Sequence, residues 1–415
     1  MYGLDVGTGI TYVFLFASLY FEIFLLVSFL EQRVSTFRDV SPLPILDEKN
    51  LPSVCVVVPC FNEERGLAST LNSLLDLRYP QEKLEILVVD DGSTDGTFAI
   101  AKSFEHDNRV NVFHKQNGGK YSAMNFALNN TNADLIGCLD ADSTVENDAL
   151  LQLTQVFENQ KIAAVTPGIH VWKPGNLLQH MQNAEYRLSI FNRFMLATLG
   201  AVFITPGAFS IFRTRIVREL GGWRHGHSTE DMEMALRLQE AGHLIANAPA
   251  ATVYTIAPRT VRALFRQRVR WWYGWLLNTA DYRFMIGNSR YGNLGLIIFP
   301  SSLISIGAGI YFFVRASWYG VTSFVEMFGR TQLTGTFPHP HGELFYINTS
   351  AMLFLICVSI ILIFALICIG SLIGTGSRRP PAGTPLFLLF YGFLAPLWLS
   401  TALVRATFKT GVRWR

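Results

Sequence analysis

Four long apolar runs limit what this chain can fold into more than any other feature. Residues 11–30 (TYVFLFASLYFEIFLLVSFL), 293–316, 347–373 and 386–404 each reach the length needed to cross a bilayer, which takes roughly 20 apolar residues as a helix. Between the first and second runs the texture changes to short apolar stretches separated by polar ones, as in a soluble unit. Composition agrees with that division. Charged residues make up only 16 % of the 415-residue chain, against about 25 % in an ordinary soluble domain.

The first run carries a single charge, Glu22. An intramembrane carboxylate marks either a functional group or a pair inside a helix bundle. No basic stretch precedes the run and no small-residue cleavage site follows it, so it is expected to stay as an anchor rather than leave as a signal peptide. Arg33 and Arg38 follow it, which by the positive-inside rule places the segment after residue 31 in the cytoplasm. Residues 317–346, with Pro338 and Pro340, would then lie outside, and Arg378-Arg379-Pro380-Pro381 would form an inside turn. Four spans put the tail outside, yet Arg405, Lys409, Arg413 and Arg415 are basic. Either the last run, interrupted by Gly392 and Pro396, re-enters, or the tail departs from the rule. Asn348-Thr349-Ser350 matches a glycosylation sequon by pattern.

Three of the five cysteines (55, 60 and 138) fall in the soluble part and show no zinc-type spacing. An odd number there fits a reducing compartment. The net charge of +3 is too small to point to nucleic acid as a partner. These boundaries give an amino-terminal anchor over 1–38, a soluble domain over 50–255, an interfacial segment over 256–290 and about three membrane helices over 291–415.

Within the soluble part, strand and helix signals alternate. The β-branched run 54–58 ends at Pro59; 64–77 has helical spacing through Leu67, Leu71 and Leu74; 84–89 is a second buried run. Residues 97–104 read as a helix, 110–113 as a strand, 120–129 as a helix and 135–139 as a strand. This alternation predicts a doubly wound, Rossmann-like parallel sheet. No GxGxxG follows the first strand, which disfavours a dinucleotide site. Residues 177–199 have one apolar helical face, read either as a cover on the sheet or as a helix in the membrane interface.

Polar motifs follow the strand ends, where ligands collect in open α/β sheets. Phe61-Asn62-Glu63-Glu64 follows the first strand, Asp90-Asp91-Gly92-Ser93 the second, and Asn117-Gly118-Gly119-Lys120 opens a helix. Asp140-Ala141-Asp142 ends the fourth strand. Successive strand residues face opposite ways, so both carboxylates meet one ligand only if the chain already turns at Ala141. Such a pair suits a hard divalent cation held partly by phosphates. Further on come Thr229-Glu230-Asp231, where acidic residues also suit a helix amino terminus, and Gln267-Arg268-Val269-Arg270-Trp271. Gln267, Arg270 and Trp271 share a helical face. The basic, aromatic-rich segment around them suits lipid headgroups or a diphosphate equally.

Taken together and in this order, the motifs over residues 50–275 resemble the membrane-embedded, processive family-2 glycosyltransferases, the synthases of cellulose, chitin, hyaluronan and poly-N-acetylglucosamine. The resemblance implies an α/β GT-A catalytic domain on the cytoplasmic face of the plasma or inner membrane, joined to an α-helical transmembrane region. It implies inverting transfer from a UDP-sugar to a growing β-linked polysaccharide, coupled to translocation, with N-acetylglucosamine favoured. By this resemblance Phe61 stacks on the uracil, while Glu63 and Asp91 hydrogen-bond the uridine. Asp90 joins them or merely forms the turn before Gly92. Lys120 and Arg270 offset the diphosphate charge, Asp140 sits near ribose and metal, and Asp142 binds Mg²⁺ or Mn²⁺. Asp231 is the general base, beside Glu230. Gly207 and Ala208 floor the acceptor site, and Gln267 and Trp271 hold the sugar end. Trp272 and Tyr273 follow the motif where many members carry smaller residues, so the sugar fit is expected to differ. The alternatives are single transfer to a lipid-linked acceptor, a two-donor hyaluronan-type synthase, and an export subunit with a decayed transferase domain.

Overall fold

The computed structural model describes residues 6–36, 50–335 and 351–410. The sequence readings on Arg38, Pro338, Pro340, Asn348, Arg413 and Arg415 lie outside the described residues. Eight strands form one sheet: β1 (Val54–Cys60), β2 (Leu84–Asp90), β3 (Val110–His114), β4 (Leu135–Cys138), β5 (Ser143–Val145), β6 (Ile162–Val171), β7 (Ser210–Arg213) and β8 (Leu244–Thr255), in the order β3-β2-β1-β4-β7-β6-β8-β5. The first four are parallel, as the alternating pattern predicts. Beyond β4 the sheet is mixed: β7 runs antiparallel to both β4 and β6, and β5 antiparallel to β8, whereas β6 and β8 pair in parallel, so the parallel expectation is corrected for this half.

β1 also runs through Pro59, where the sequence suggested it would stop. The Val57 carbonyl accepts from Leu139 N (2.9 Å), on the β4 side. Two residues on, the missing N–H of Pro59 points to that same side, beyond the last β4 residue paired with β1, Cys138. A proline there leaves the ladder intact.

Each face of the sheet has its own core. Val54, Val56 and Val58 share one with Leu67, Leu71 and Leu74 of α2 (Leu67–Leu75). Cys55 and Val57 face the other with Met124 and Ala127 of α4 (Lys120–Asn130) and Met234 and Leu238 of α8 (Glu230–Glu240). Each of these leucines contributes about 1.5–3 kcal/mol of burial. Three short helices complete the layers: α3 (Thr97–Lys102), α5 (Ala149–Gln155) and α7 (Thr214–Glu219).

Among the described residues, four helices are long and apolar enough to cross a membrane. They are α1 (Val6–Thr36), α10 (Phe299–Thr334), α11 (Ala351–Thr375) and α12 (Thr384–Thr407). α10 continues well past residue 316, so the helix runs beyond the apolar stretch and 317–334 is part of it. Arg315 donates to the Tyr311 and Tyr319 hydroxyls one turn away on either side (2.9 and 3.1 Å). Falling hydropathy there does not end the helix; Gly335, at φ 66°, does. α12 passes through Gly392 and Pro396 without a break, which removes the basis for re-entry.

Two helices join the halves. α6 (Leu177–Thr198) places Met181 and Ala184 among residues of α11 and α12, and Phe191 and Met195 among residues of α1 and α11. Tyr186 packs back on the sheet core, so α6 covers the sheet on one side and meets the apolar helices on the other. α9 (Val261–Asp281) sets Leu264, Val269 and Tyr273 against Phe387, Trp398 and Leu399 of α12.

Candidate active site

At the carboxyl ends of β1, β2 and β4 the chain turns into loops that fix one another. Asn62, at φ 56°, accepts from Thr94 N (2.9 Å), and its own N–H donates to Ser93 Oγ (2.9 Å). Glu63 N donates to Thr97 Oγ1 (2.8 Å), so Phe61 and Glu63 are presented from a closed turn. The two consecutive aspartates after β2 do different things. The Asp91 carboxylate accepts from Lys115 Nζ (2.5 Å), Gly118 N (3.0 Å) and Gly119 N (2.7 Å), and so shapes the loop that leads into Lys120. Asp90 is fully buried, held by His114 Nδ1 (2.6 Å) and Ser93 N (3.2 Å). It does not line the cavity described below, so its geometry is that of a turn former.

Strand β4 ends at Cys138, and residues 141–142 are already in a turn. α2 pins that turn: Thr70 Oγ1 donates to the Ala141 carbonyl (2.8 Å), and Gly66 lies so close that a Cβ would come within 2.8 Å of the same oxygen. The early turn brings Asp140 and Asp142 to one cavity, the condition set by strand alternation. Lys120 is paired with Asp140 and lies 3.6 Å from Glu230. Burial opposes the Lys120 charge, but Asp140 first and Glu230 after it hold the ammonium well above its ordinary range. Gly207 packs on this ion pair. A side chain there would collide with Lys120 Nζ and the Asp140 carboxylate.

Asp231 opens α8. The turn before it, Gly226-His227-Ser228, has three consecutive left-handed residues (φ 52°, 52° and 70°). Asn278 of α9 fastens this turn by donating to the Gly226 carbonyl (2.9 Å) and to Thr229 Oγ1 (2.8 Å). Thr205 Oγ1 donates to the Asp231 carbonyl (2.8 Å) and ties the residues before Gly207 and Ala208 to the same helix start. Burial, then the Glu230 charge, push the Asp231 carboxyl up to about 6. A carboxylate so raised is suited to accept a proton near neutral pH.

One cavity of about 1170 Å³ is lined by Phe61, Glu63, Asp91, Lys120, Asp140 and Asp142, by Gly207, Ala208, Glu230 and Asp231, and by Gln267, Arg270 and Trp271 from α9. The cavity continues among the apolar helices, past Phe21 of α1, Ser302 and Ser305 of α10, and Pro396 and Leu399 of α12. Every site residue expected from the sequence except Asp90 is in its wall. The sequence gave no role to Glu185, Tyr186, Ser189, Asn192 and Arg193 of α6, which also line it. Their spacing of one, four, seven and eight marks a single helical face, overshadowed in the sequence by the apolar stripe of the same helix.

Among the described residues no group of three or more His, Cys, Asp or Glu side chains could enclose a metal ion. The Asp140–Asp142 turn offers two carboxylates beside open space. That donor set fits a cation such as Mg²⁺, which keeps its waters and takes remaining ligands from a substrate's phosphates.

Comparison with known proteins follows the same outline. The family described as Glycosyltransferase like family 2 matches residues 52–274. The chain is 32 % identical over 231 residues to the poly-beta-1,6-N-acetyl-D-glucosamine synthase of Staphylococcus aureus (strain COL), a stretch covering 55 % of this chain and 56 % of that protein. The corresponding synthase of Staphylococcus epidermidis is 29 % identical over 230 residues, covering 54 % and 55 %. The chain thus spans about half the length of the curated relatives it matches. Among solved structures, the mannosyltransferase PcManGT from Pyrobaculum calidifontis, in complex with GDP-Man and Mn²⁺, aligns over 96 % of this chain and 99 % of its own, with a TM-score of 0.59 at 16 % identity. At that identity the likeness concerns the fold, which is GT-A.

Proposed function

Because the chain belongs to glycosyltransferase family 2, we propose that it is an inverting transferase that moves a sugar from a UDP-sugar to the end of a growing β-linked polysaccharide. N-acetylglucosamine is the favoured sugar, supported by the poly-N-acetylglucosamine synthases that the chain resembles over 231 residues. One observation carries the reading: the Asp140–Asp142 turn, Asp231 and the Gln267–Trp271 face border a single cavity.

In this mechanism Phe61 and Glu63 receive the nucleoside, with Asp91 ordering the loop beside it. Gln267 and Trp271 hold the acceptor over the small floor at Gly207 and Ala208. Asp231 takes the proton from the acceptor hydroxyl as its oxygen bonds to the sugar's anomeric carbon and the bond from that carbon to the diphosphate breaks. UDP leaves with the electron pair. Lys120 and Arg270 offset the charge gathering on the diphosphate. Asp140 and Asp142 would hold a divalent cation, which when bound supplies Lewis-acid stabilisation to the leaving group.

We place the catalytic half on the cytoplasmic face of the plasma or inner membrane, with the apolar helices spanning it. The extension of the cavity among α1, α10 and α12 suits an exiting saccharide. It equally suits a lipid-linked acceptor receiving one sugar, and product size separates the two. The test is UDP release from purified protein given a panel of radiolabelled UDP-sugars and Mn²⁺, followed by digestion with linkage-specific hydrolases. A ladder of products made by wild type and abolished in Asp231→Asn is expected. Equal rates from the two proteins would remove Asp231 from its role, and a single added sugar would favour the lipid-linked alternative.

A further inference from the structure

Arg268 stands inside the Gln267–Trp271 motif yet serves neither the donor nor the helix surface. It is 2 % exposed. One amine nitrogen, Nη1, donates to Gln267 Oε1 (3.1 Å), and the guanidinium lies 4.2 Å from the centre of the Trp271 ring. Its other amine, Nη2, donates to Glu185 Oε2 on α6 (2.7 Å). The second oxygen of that carboxylate, Oε1, accepts from the Tyr391 hydroxyl on α12 (2.5 Å). Tyr391 is wedged between Phe387 and Trp398, with ring centres 4.7 and 5.5 Å away. Glu185, Arg268 and Tyr391 all border the cavity where it passes from the sheet half into the helices.

A guanidinium keeps its charge at any physiological pH, so a buried one depends on its partner. Burial opposes the Arg268 charge, and Glu185 more than offsets it. The same carboxylate therefore governs where the guanidinium sits. The guanidinium in turn governs two neighbours: it fixes the Gln267 amide through its oxygen and presses on the Trp271 ring. A cation against an aromatic face favours one ring orientation. Tyr391 makes the arrangement answer to α12, because a shift of that helix withdraws one of the hydrogen-bond donors that aim the carboxylate.

We infer that Glu185, Arg268 and Tyr391 form a positioning triad that sets Gln267 and Trp271 for the acceptor and ties their placement to helix α12. The inference rests on the reading of Gln267 and Trp271 as the acceptor site. None of the three residues needs to touch the reacting atoms. The consequence is selective: acceptor binding depends on the triad more than donor binding does, because Phe61, Glu63, Asp91 and Lys120 come from other elements and, of the donor-side groups, only Arg270 shares α9 with Gln267 and Trp271.

The experiment uses full-length protein in lipid nanodiscs, with a β-1,6-linked N-acetylglucosamine tetrasaccharide as acceptor and the UDP-sugar accepted by wild type as donor. Tyr391→Phe removes one hydroxyl and leaves the ring packing. It is expected to raise the acceptor KM about tenfold, the scale of a lost hydrogen bond to a charged group, while the donor KM stays within about twofold. Glu185→Gln strands the Arg268 charge and is expected to do more. Should it fail to fold, Tyr391→Phe still decides. If both variants lower the melting temperature and the active fraction but leave the acceptor KM unchanged, the triad is only a fastening between helices and the inference is overturned. Equal shifts in donor and acceptor KM overturn it as well. A wild type that extends no sugar acceptor overturns the polysaccharide reading together with this one.

Discussion

The sheet half and the helix half of this molecule are held together in different ways. In the sheet half, Val54 through Val58 are completely buried, and the loops at the strand ends are pinned by side-chain hydrogen bonds. In the helix half, no more than 28 % of the most apolar stretch of any membrane-length helix is buried. Water must be excluded from the first by the protein itself, whereas the second leaves apolar surface for a lipid solvent. The contrast teaches where function resides. Most of the groups proposed to bear the chemistry come from the sheet half, and the helices supply the rest of the cavity wall.

The largest effect that would break this division belongs to the proposed base. Asp231→Asn is expected to lower kcat by about 10²–10⁴-fold, as for loss of a general base, with UDP release as the measurement. Its thermal stability should not fall. An appreciable residual rate would mean that proton transfer does not depend on the sheet half. Asp142→Asn comes next, with about a hundredfold loss expected if a cation stabilises the leaving group. Titration with Mn²⁺ should show a higher metal requirement than in wild type, and an unchanged metal curve would separate Asp142 from metal binding.

Packing sharpens the comparison at a smaller scale. Leu71 is fully buried beneath the sheet, and Leu71→Ala is expected to cost about 2–5 kcal/mol, read by thermal unfolding. A smaller effect is the pH dependence. As the proposed base, Asp231 would act only when ionised, so kcat/KM should rise through a midpoint near 6 and level off above it. Stability runs the other way. Because the carboxyl is raised from 3.8 to about 6 in the folded protein, its contribution is complete below 3.8 and is lost as pH climbs through 6. Asp231→Asn should remove this pH dependence from the melting curve. The smallest effect is expected at Ile361 of α11, which is 65 % exposed among apolar helices. Ile361→Ala should cost under about 1 kcal/mol in lipid, where the side chain leaves one apolar solvent for another. A loss comparable to Leu71→Ala would show that this face of α11 has a protein partner.

Local patterns carried much of this into the sequence. The parallel strands β1 to β4 were legible because buried β-branched runs and turn residues alternate at short range. The site was legible because its acidic groups sit at strand ends and at one helix start. What escaped depends on distant contacts. Asp90 and Asp91 look alike in the chain, and it is contacts such as that of His114, delivered by β3, that enclose Asp90 while its neighbour meets the cavity. The reversal at β7 follows a long excursion through α6 and has no local signature. The far end of α10 was missed because hydropathy reports solvent preference, whereas the helix continues until Gly335.

On the proposed reading, the cavity that continues among the apolar helices also gives other amphiphiles a way in. Past Phe21, Ser305 and Leu399, the room suited to an acceptor is also room for an alkyl tail. Solubilising agents therefore become kinetic variables for this enzyme. Short-chain detergents should slow turnover in competition with the acceptor, and bulky sterol-based ones should not.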